Sequence, residues 1–137
     1  MIELCREGVY GGRTLENFRA TRPDWFRRYM RETGPDRYAV VPEIRRRIDY
    51  RVHNFFGPLL ATAPFDLILL RNVLIYFARP DQEKVLASMK PRLATGGRLI
   101  VGESESLSYL QNDFKLVEPF VYASAGEADA VEKGNAA

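Results

Sequence analysis

Polar residues follow directly after two apolar runs, and at these positions the sequence could do chemistry. Arg71 and Asn72 come after the run at residues 65–70, and a Glu-Ser-Glu-Ser sequence at residues 103–106 comes after the run at residues 99–102. If both runs are strands of one parallel sheet, these polar residues face the crevice in which such sheets bind ligands. The structural alternative is that Asn72 caps a helix and residues 103–106 form a capped surface turn. Position alone leaves both interpretations open.

A strand, a helix and a second strand must position these residues. The run at residues 65–70 is apolar apart from Asp66, which is typical of a buried strand in a parallel sheet. Residues 81–93 predict an amphipathic helix, and residues 99–102 predict a second buried strand after a Gly-Gly pair. This β-α-β unit indicates a doubly wound α/β sheet with a right-handed crossover. The helix residues expected to face the core are Val85, Leu86, Met89 and Leu93.

The flanking segments predict further short elements. We expect a helix that ends at Gly8, a second helix capped by Thr14 and a third that begins at Pro23. Strands are predicted at residues 38–41, 114–117 and 120–123, the last two as an antiparallel hairpin. Residues 126–137 are polar and rich in Ala and Gly, and we expect them to be a disordered tail.

Residues 44–52 have two interpretations. Ile44, Ile48 and Val52 are four positions apart, which places them on one face of a helix. They would also lie on one face of a strand, because residues an even number of positions apart point to the same side of a strand. In the strand interpretation, Arg45, Arg47 and Arg51 lie on the opposite face. We favour a turn followed by a strand over residues 47–52.

The composition fits one globular domain. The chain has 137 residues, of which 46% are apolar, and a single cysteine, which excludes an intrachain disulfide. Charged residues interrupt the amino terminus, so no signal peptide is expected there, and no apolar run is long enough to insert in a membrane. We therefore expect a cytoplasmic protein. The single histidine, His53, predicts no histidine-based metal site.

The net charge of +2 conceals an asymmetry along the chain. Residues 1–60 carry twelve Arg against eight acidic residues, whereas residues 61–137 carry eight basic and ten acidic residues. Arginine is suited to pairing with planar carboxylate or phosphate groups, although a coding bias toward arginine would produce the same pattern. The overall charge is small and no basic stripe is interleaved with aromatic residues, so we expect no nucleic-acid partner.

Residues 65–77 together resemble a motif of the CheR-type chemotaxis receptor glutamate O-methyltransferases. The motif joins the apolar strand to Arg71, Asn72 and a second apolar run that ends in Tyr76 and Phe77. The resemblance covers about residues 2–124 and includes residues 8–10, 29–35, 47–50 and 102–107 in family order. It implies a partial Rossmann-like methyltransferase sheet whose central amino-terminal strands are missing, with a small antiparallel β insertion. We expect residues 1–125 to form this partial catalytic domain and residues 31–50 to form the insertion.

The resemblance also implies a set of site residues. Asn54 and Phe55 would lie beside the adenosine part of S-adenosylmethionine, and Arg71 and Asn72 would lie at the cofactor pocket. Tyr76 would lie next to the transferable methyl, so Tyr76 and Arg71 are the predicted catalytic residues. In the insertion, some family members dock a receptor tail. The predicted substrate-binding residues are therefore Arg45, Arg47 and Arg51, whose alternative is a solvated charged face.

The implied reaction needs little catalytic equipment. A glutamate side chain has a pKa of about 4.3 and is ionised at neutral pH, so the nucleophile needs no general base. The protein has to align the carboxylate oxygen, the methyl carbon and the sulfur, which is catalysis by proximity. The phenol of Tyr76 could orient the carboxylate by a hydrogen bond, and the alternative is a buried aromatic side chain.

Two departures from the family pattern qualify these expectations. Glu103 stands where the family usually has His. The glycine-rich turn and the acidic residue that grip the cofactor in the family, together with two central strands, are not in the sequence. We therefore expect weak cofactor binding and no activity by this chain alone, with a homodimer or a completing partner chain as ways to fill the sheet. The alternative function is a non-catalytic, truncated methyltransferase-like module that binds chemotaxis receptors or other partners.

Overall fold

The chain divides into two compact units, Met1–Val52 and His53–Ala137, in a computed structural model. The structure describes residues 2–57 and 63–125, so the predicted disordered tail at residues 126–137 lies outside the described residues. Among the described helices, none combines the length and the apolar character that crossing a bilayer requires.

The first unit is a three-stranded antiparallel sheet with short helices. The strands are β1 (Val9–Gly11), β2 (Met30–Gly34) and β3 (Arg37–Val40), in the order β1-β3-β2. The helices are α1 (Ile2–Glu7), α2 (Arg13–Thr21), α3 (Pro23–Tyr29) and α4 (Pro42–Arg45). Strand β3 and all but the first residue of β2 fall within the predicted insertion at residues 31–50, whereas β1 precedes it.

Two of the predicted helix ends in this unit are confirmed and one is wrong. Gly8 ends α1 in a left-handed conformation, with φ +61°, and its N–H donates to the carbonyls of Leu4 and Cys5. Pro23 begins α3, as predicted. The residue that precedes α2 is Gly12, not Thr14, and Gly12 also has a positive φ of 77°.

The predicted strand at residues 47–52 is wrong. Pro42 begins the short helix α4, and no regular element follows between Arg46 and Val52. The sheet of this unit consists of β1, β3 and β2, and residues 47–52 do not pair with either of its outer strands. A period-two apolar pattern alone does not make a strand, because strand stability depends on packing against neighbouring strands.

The second unit is built on a four-stranded mixed sheet. The strands are β4 (Phe65–Leu70), β5 (Leu93–Val101), β6 (Phe114–Glu118) and β7 (Val121–Ser124), in the order β4-β5-β7-β6. Strands β4 and β5 are parallel and are joined through α5 (Arg79–Met89), whereas β6 and β7 form an antiparallel hairpin. The predicted β-α-β unit, hairpin and mixed α/β fold class are confirmed.

The helix α5 supplies the core of this unit. Val85, Leu86 and Met89 are buried as predicted, whereas the helix ends before Leu93, which begins β5. A 3₁₀ helix at Lys90–Arg92 makes the connection. The core comprises residues from the parallel strands, the segments that follow them, α5 and the hairpin: Leu70, Leu74, Val85, Leu86, Met89, Leu99, Val101, Leu107, Leu110, Phe114 and Tyr122.

The strand β4 is buried on one face only, which corrects the prediction of a strand buried on both faces. Leu70 is 3% exposed, but Phe65, Leu67 and Leu69 are 44%, 50% and 63% exposed. In the described part of the chain, β4 lies at the edge of its sheet. Its apolar run therefore exceeds what this unit buries.

Candidate functional site

The predicted site residues Arg71, Asn72 and Tyr76 lie on one turn, which we call the β4 turn (residues 71–77). Leu70 and Leu74 are 3% and 2% exposed and anchor the turn to the core, whereas Tyr76 is 80% exposed. A 3₁₀ helix, Leu74–Tyr76, forms the middle of the turn. The structure therefore presents these polar side chains at the carboxyl end of β4, where α/β sheets bind ligands.

Glu105 holds the amino-terminal half of the β4 turn. Its Oε2 accepts hydrogen bonds from the N–H of Asn72 at 2.8 Å and of Gly102 at 2.7 Å. Its Oε1 accepts from the N–H of Val73 at 2.8 Å and of Leu74 at 2.7 Å. One carboxylate thus ties the end of β4 to the end of β5.

This network favours the ionised form of Glu105. Burial opposes ionisation and tends to raise the pKa of the Glu105 carboxyl, which is 4% exposed. The four backbone N–H donors oppose that effect and together hold the pKa below its ordinary value of 4.5. Glu105 is therefore a charged acceptor at neutral pH, and such hydrogen bonds are stronger than neutral ones.

Two backbone features make this arrangement possible. Asn72 has a left-handed conformation with φ +56°, which asparagine tolerates better than most residues. Gly102 leaves no room for a side chain, because a Cβ there would lie 2.6 Å from Oε2 of Glu105 and 2.7 Å from Oδ1 of Asn72. The close approach of the two strand ends thus requires glycine at position 102.

Gln82 of α5 holds the carboxyl-terminal half of the β4 turn. Its Nε2 donates to the carbonyl oxygens of Leu74 at 2.9 Å and Phe77 at 3.0 Å. Its Oε1 accepts a hydrogen bond of 3.1 Å from the hydroxyl of Tyr109. Gln82 is 8% exposed, so the amide is a buried and satisfied donor to the turn.

Arg71 and Glu103 lie beside each other at the ends of the two parallel strands. Nη2 of Arg71 is 3.9 Å from Oε1 of Glu103, and the side chains are 53% and 80% exposed. An exposed pair at this distance contributes little to stability. Both charges therefore remain accessible at the strand ends.

Asn54 and Phe55 lie next to the β4 turn. The ring centroid of Phe55 is 6.1 Å from that of Phe77, and the centroid of Phe56 is 5.5 Å from it. Oδ1 of Asn54 accepts from the N–H of Phe56 at 3.0 Å, which fixes a tight turn in front of the aromatic pair. The structure thus brings five predicted residues into one unit: Asn54, Phe55, Arg71, Asn72 and Tyr76.

The three predicted substrate-binding arginines lie in the first unit and differ in their surroundings. Arg45 is partly buried, and its Nη2 donates to the carbonyl oxygen of Arg6 at 2.9 Å. The side chain of Arg51 pairs with Asp49 through a 2.6 Å hydrogen bond from Nε. Arg47 is exposed. Their role in binding a substrate stays a prediction.

The sequence interpretation missed the roles of Glu105 and Gln82. A capped turn is predicted at residues 103–106, and Glu105 does accept N–H groups at the start of a helix. That helix is the 3₁₀ helix of the β4 turn, 31 residues upstream, and not a helix next to Glu105. Asn72 itself caps no helix, since the residue before Leu74–Tyr76 is Val73. The available signal for Gln82 was its place in the buried face of α5, with Val85, Leu86 and Met89.

The described residues hold no group of three or more His, Cys, Asp or Glu side chains that could bind a metal ion. The polar residues instead cluster at the carboxyl ends of two adjacent parallel strands. Fold and site together define an α/β domain of the class that binds its ligand at that edge.

Comparison with known proteins identifies the family. The family model "CheR methyltransferase, SAM binding domain" matches residues 1–122. The chain belongs to this family, and its mixed four-stranded sheet with a separate antiparallel sheet is consistent with a partial methyltransferase fold.

Relatives at 35–37% identity include proteins named chemotaxis protein methyltransferase and one uncharacterised protein. A chemotaxis protein methyltransferase of Vibrio parahaemolyticus is 37% identical over 117 residues, which cover 85% of this chain and 42% of that protein. Its counterpart in Escherichia coli is 35% identical over 127 residues, or 90% of this chain and 43% of that protein. An uncharacterised 104.1 kDa protein of Rhodobacter capsulatus is 37% identical over 119 residues, 85% of this chain and 12% of that protein. The chain thus spans about two-fifths of the length of its chemotaxis relatives.

Proposed function

We propose that the chain is the methyl-transfer half of an S-adenosylmethionine-dependent methyltransferase that modifies glutamate side chains of chemotaxis receptors in the cytoplasm. The observation that carries the proposal is the β4 turn. It presents Arg71, Asn72 and Tyr76 at the carboxyl end of a parallel strand, where two buried side chains fix its backbone. Family membership and the names of the relatives support the same activity.

The charges at the strand ends suit the cofactor. S-adenosylmethionine carries a carboxylate and an ammonium group on its amino-acid end. Arg71 and Glu103 offer an accessible cation and an accessible anion 3.9 Å apart, which is a complementary pair for such a zwitterion. Asn54 and Phe55, beside the turn, would then hold the adenosine part. Glu103 stands where the family usually has His. Its negative charge would attract the ammonium group of the cofactor and would repel the carboxylate of the substrate.

When bound, the cofactor supplies a methyl group on a positively charged sulfur. A receptor carboxylate held at the β4 turn would accept this methyl group and become a methyl ester, and the cofactor would leave as a neutral thioether. The exposed phenol of Tyr76 donates a hydrogen bond to the second carboxylate oxygen and orients the attack. Arg71 would bind the carboxylate of the cofactor and so keep its methyl group aligned with the receptor carboxylate.

The arginines of the first unit would contribute to receptor binding. Twelve arginines against eight acidic residues give Met1–Val52 a positive charge that complements acidic receptor segments. Of the three predicted contacts, Arg47 is the most accessible, whereas Arg45 also serves the end of α1 and Arg51 pairs with Asp49. Each would pair with a receptor carboxylate.

The outer edge of β4 would be filled by a further strand in the active protein. Leu67 and Leu69 are half exposed or more, and an open apolar edge favours pairing. The strand would come from another segment of the same protein, from a partner chain or from a second copy. Cofactor binding by the 137-residue chain alone would therefore be weak.

Methyl transfer can be tested with the purified chain and with a chimera. In the chimera, the chain replaces the matching 42% of the Vibrio parahaemolyticus relative. Transfer of radiolabelled methyl groups to a receptor cytoplasmic fragment is measured for both. We expect transfer by the chimera, a loss of about 100-fold or more in kcat for Tyr76→Phe, and little change in kcat for the matched variant Tyr29→Phe, in α3 of the first unit.

The outcomes separate the alternatives. A chimera that binds the receptor fragment but transfers no methyl group would contradict the enzymatic proposal and favour the non-catalytic binding module. Transfer by the chain alone, with low-micromolar cofactor binding in calorimetry, would support the activity but overturn the need for completion. Light scattering of the chain distinguishes a monomer from a homodimer.

A further inference from the structure

The backbone of the β4 turn is gripped at both ends by buried polar side chains from elsewhere in the unit. The carboxylate of Glu105 accepts four N–H groups around its first half, at 2.7 to 2.8 Å. The amide of Gln82 donates to two carbonyls in its second half, at 2.9 and 3.0 Å. The acceptor therefore meets the N–H end of the 3₁₀ helix and the donor meets its carbonyl end.

The partners that the buried backbone of the turn needs come from side chains outside the turn. Leu74 already anchors the turn in the core with 2% of its surface exposed. A three-residue helix cannot satisfy its own terminal N–H and carbonyl groups. The carboxylate of Glu105, 31 to 33 residues away, accepts the N–H groups of residues 72–74. The amide of Gln82, which the hydroxyl of Tyr109 holds, donates to the carbonyls of Leu74 and Phe77.

We propose that Glu105 and Gln82 are positioning residues for methyl transfer. They act through the backbone of the β4 turn and hold Arg71, Asn72 and Tyr76 in the geometry that the reaction needs. This inference rests on the proposed function and assigns roles to two residues that do not themselves touch cofactor or substrate. Misplacement of a reacting group by about 1 Å lowers rates by about two orders of magnitude, so such a support has a catalytic effect.

Nearly isosteric variants test the two ends separately. Glu105→Gln keeps the shape but leaves one acceptor oxygen, so its amide group faces two N–H donors that lose their partner. Gln82→Glu keeps the shape but turns a donor toward two carbonyls into an acceptor. Glu83→Gln is the matched control, because Glu83 also accepts a distant backbone N–H, from Gln111 at 2.9 Å, away from the turn.

Amide hydrogen exchange in the 137-residue chain reports directly on the hydrogen bonds of Glu105 and Gln82 to the β4 turn, and it requires no enzymatic activity. We expect exchange at Asn72, Val73, Leu74 and Gly102 to become about tenfold or more faster in Glu105→Gln. Gln82→Glu should change the amide signals of residues 76–78, and Glu83→Gln should leave both sets as they are. Unchanged exchange at the four amides in Glu105→Gln would show that Glu105 does not hold the backbone of the β4 turn, whatever the outcome of the activity assay.

A double-mutant cycle in the methylating chimera separates positioning from mere stability. Glu105→Gln and Gln82→Glu should each lower kcat about tenfold to 100-fold while KM for the receptor changes little. In a Tyr76→Phe background the same changes should cost much less, because the group that they position is already absent. Equal losses of kcat in both backgrounds would assign the two residues to stability alone. Recovery of the parent kcat when each variant is assayed well below its own unfolding temperature would do the same.

The two experiments separate the proposed function from the positioning role. If the chimera is inactive while the amides respond as expected, the proposed function is wrong, and the hydrogen bonds of Glu105 and Gln82 to the β4 turn are confirmed. If the chimera is active while Glu105→Gln and Gln82→Glu retain the full kcat, the positioning role is wrong and the methyltransferase assignment stands.

Discussion

The β4 turn and the arginine segment (residues 45–51) both carry predicted site residues, but the chain holds them in different ways. The turn is anchored by buried leucines and by hydrogen bonds from Glu105 and Gln82. The arginine segment has no regular structure beyond Arg45, and its arginines make local contacts, such as that of Arg45 with the carbonyl of Arg6 and that of Arg51 with Asp49.

The difference corresponds to what each region would have to do. Group transfer depends on fixed distances between reacting atoms, so the backbone that carries Arg71 and Tyr76 benefits from support at both ends. Recognition of an acidic segment by exposed guanidinium groups tolerates adjustment, because long-range attraction between charges does not require one geometry. Changes in the two regions should therefore have effects of different size.

Truncation of Leu74 should have the largest effect. Leu74 is 2% exposed, and Leu74→Ala should lower the free energy of unfolding by about 2–5 kcal/mol through lost burial and a cavity. The neighbouring Ile75→Ala, at a side chain that is 50% exposed, should cost less than about 1 kcal/mol. Urea unfolding measures both. In the arginine segment, Ile48→Ala should resemble Ile75→Ala, because Ile48 is 44% exposed.

Gly102→Ala should have the next largest effect. The added Cβ would lie 2.6 Å from a carboxylate oxygen of Glu105, so the two strand ends must separate. We expect a loss of about 1–3 kcal/mol in stability, measured by thermal unfolding. Gly34→Ala is the control, because a Cβ there meets nothing within 4 Å. Equal losses at both positions would contradict the close approach of the strand ends.

Acid should weaken the β4 turn through Glu105. The pKa of this carboxyl in the folded chain lies below its ordinary value of 4.5. Its contribution to stability is therefore fully present above that value and is lost as the pH falls through the folded pKa. Urea unfolding from pH 7 to pH 3 should show a gap between the parent chain and Glu105→Gln that narrows below pH 4.5. A gap of constant size would count against an ionised acceptor.

The smallest effects should distinguish arginines within the arginine segment. Arg45→Ala removes a hydrogen bond to the carbonyl of Arg6 and the contact with Gly8, and should cost about 1 kcal/mol. Arg47→Ala, at an exposed side chain, should change stability by less than about 0.5 kcal/mol. Thermal unfolding compares them. In a receptor-binding assay the order should reverse, with Arg47→Ala weakening binding more than its stability change explains.

Local patterns predicted much of the second unit. The apolar run at residues 65–70, the periodicity of α5 and the hairpin residues gave the right elements in the right order. They also placed Arg71 and Asn72 at the end of β4, because both the apolar run and the strand end at Leu70. The segment at residues 47–52 shows the limit, since its alternation fitted a strand but the segment pairs with no strand of the described sheets.

The sequence by itself determined the β-α-β order, the family motif and the residues that stand at the strand ends, because these depend on short-range spacing and residue type. Only the tertiary structure decided that Glu105 and Gln82 grip the β4 turn, that β4 exposes Leu67 and Leu69, and that Arg45 caps α1. The physical reason is distance along the chain. A buried carboxylate finds its N–H partners 31 to 33 residues away, and nothing in the local pattern names them.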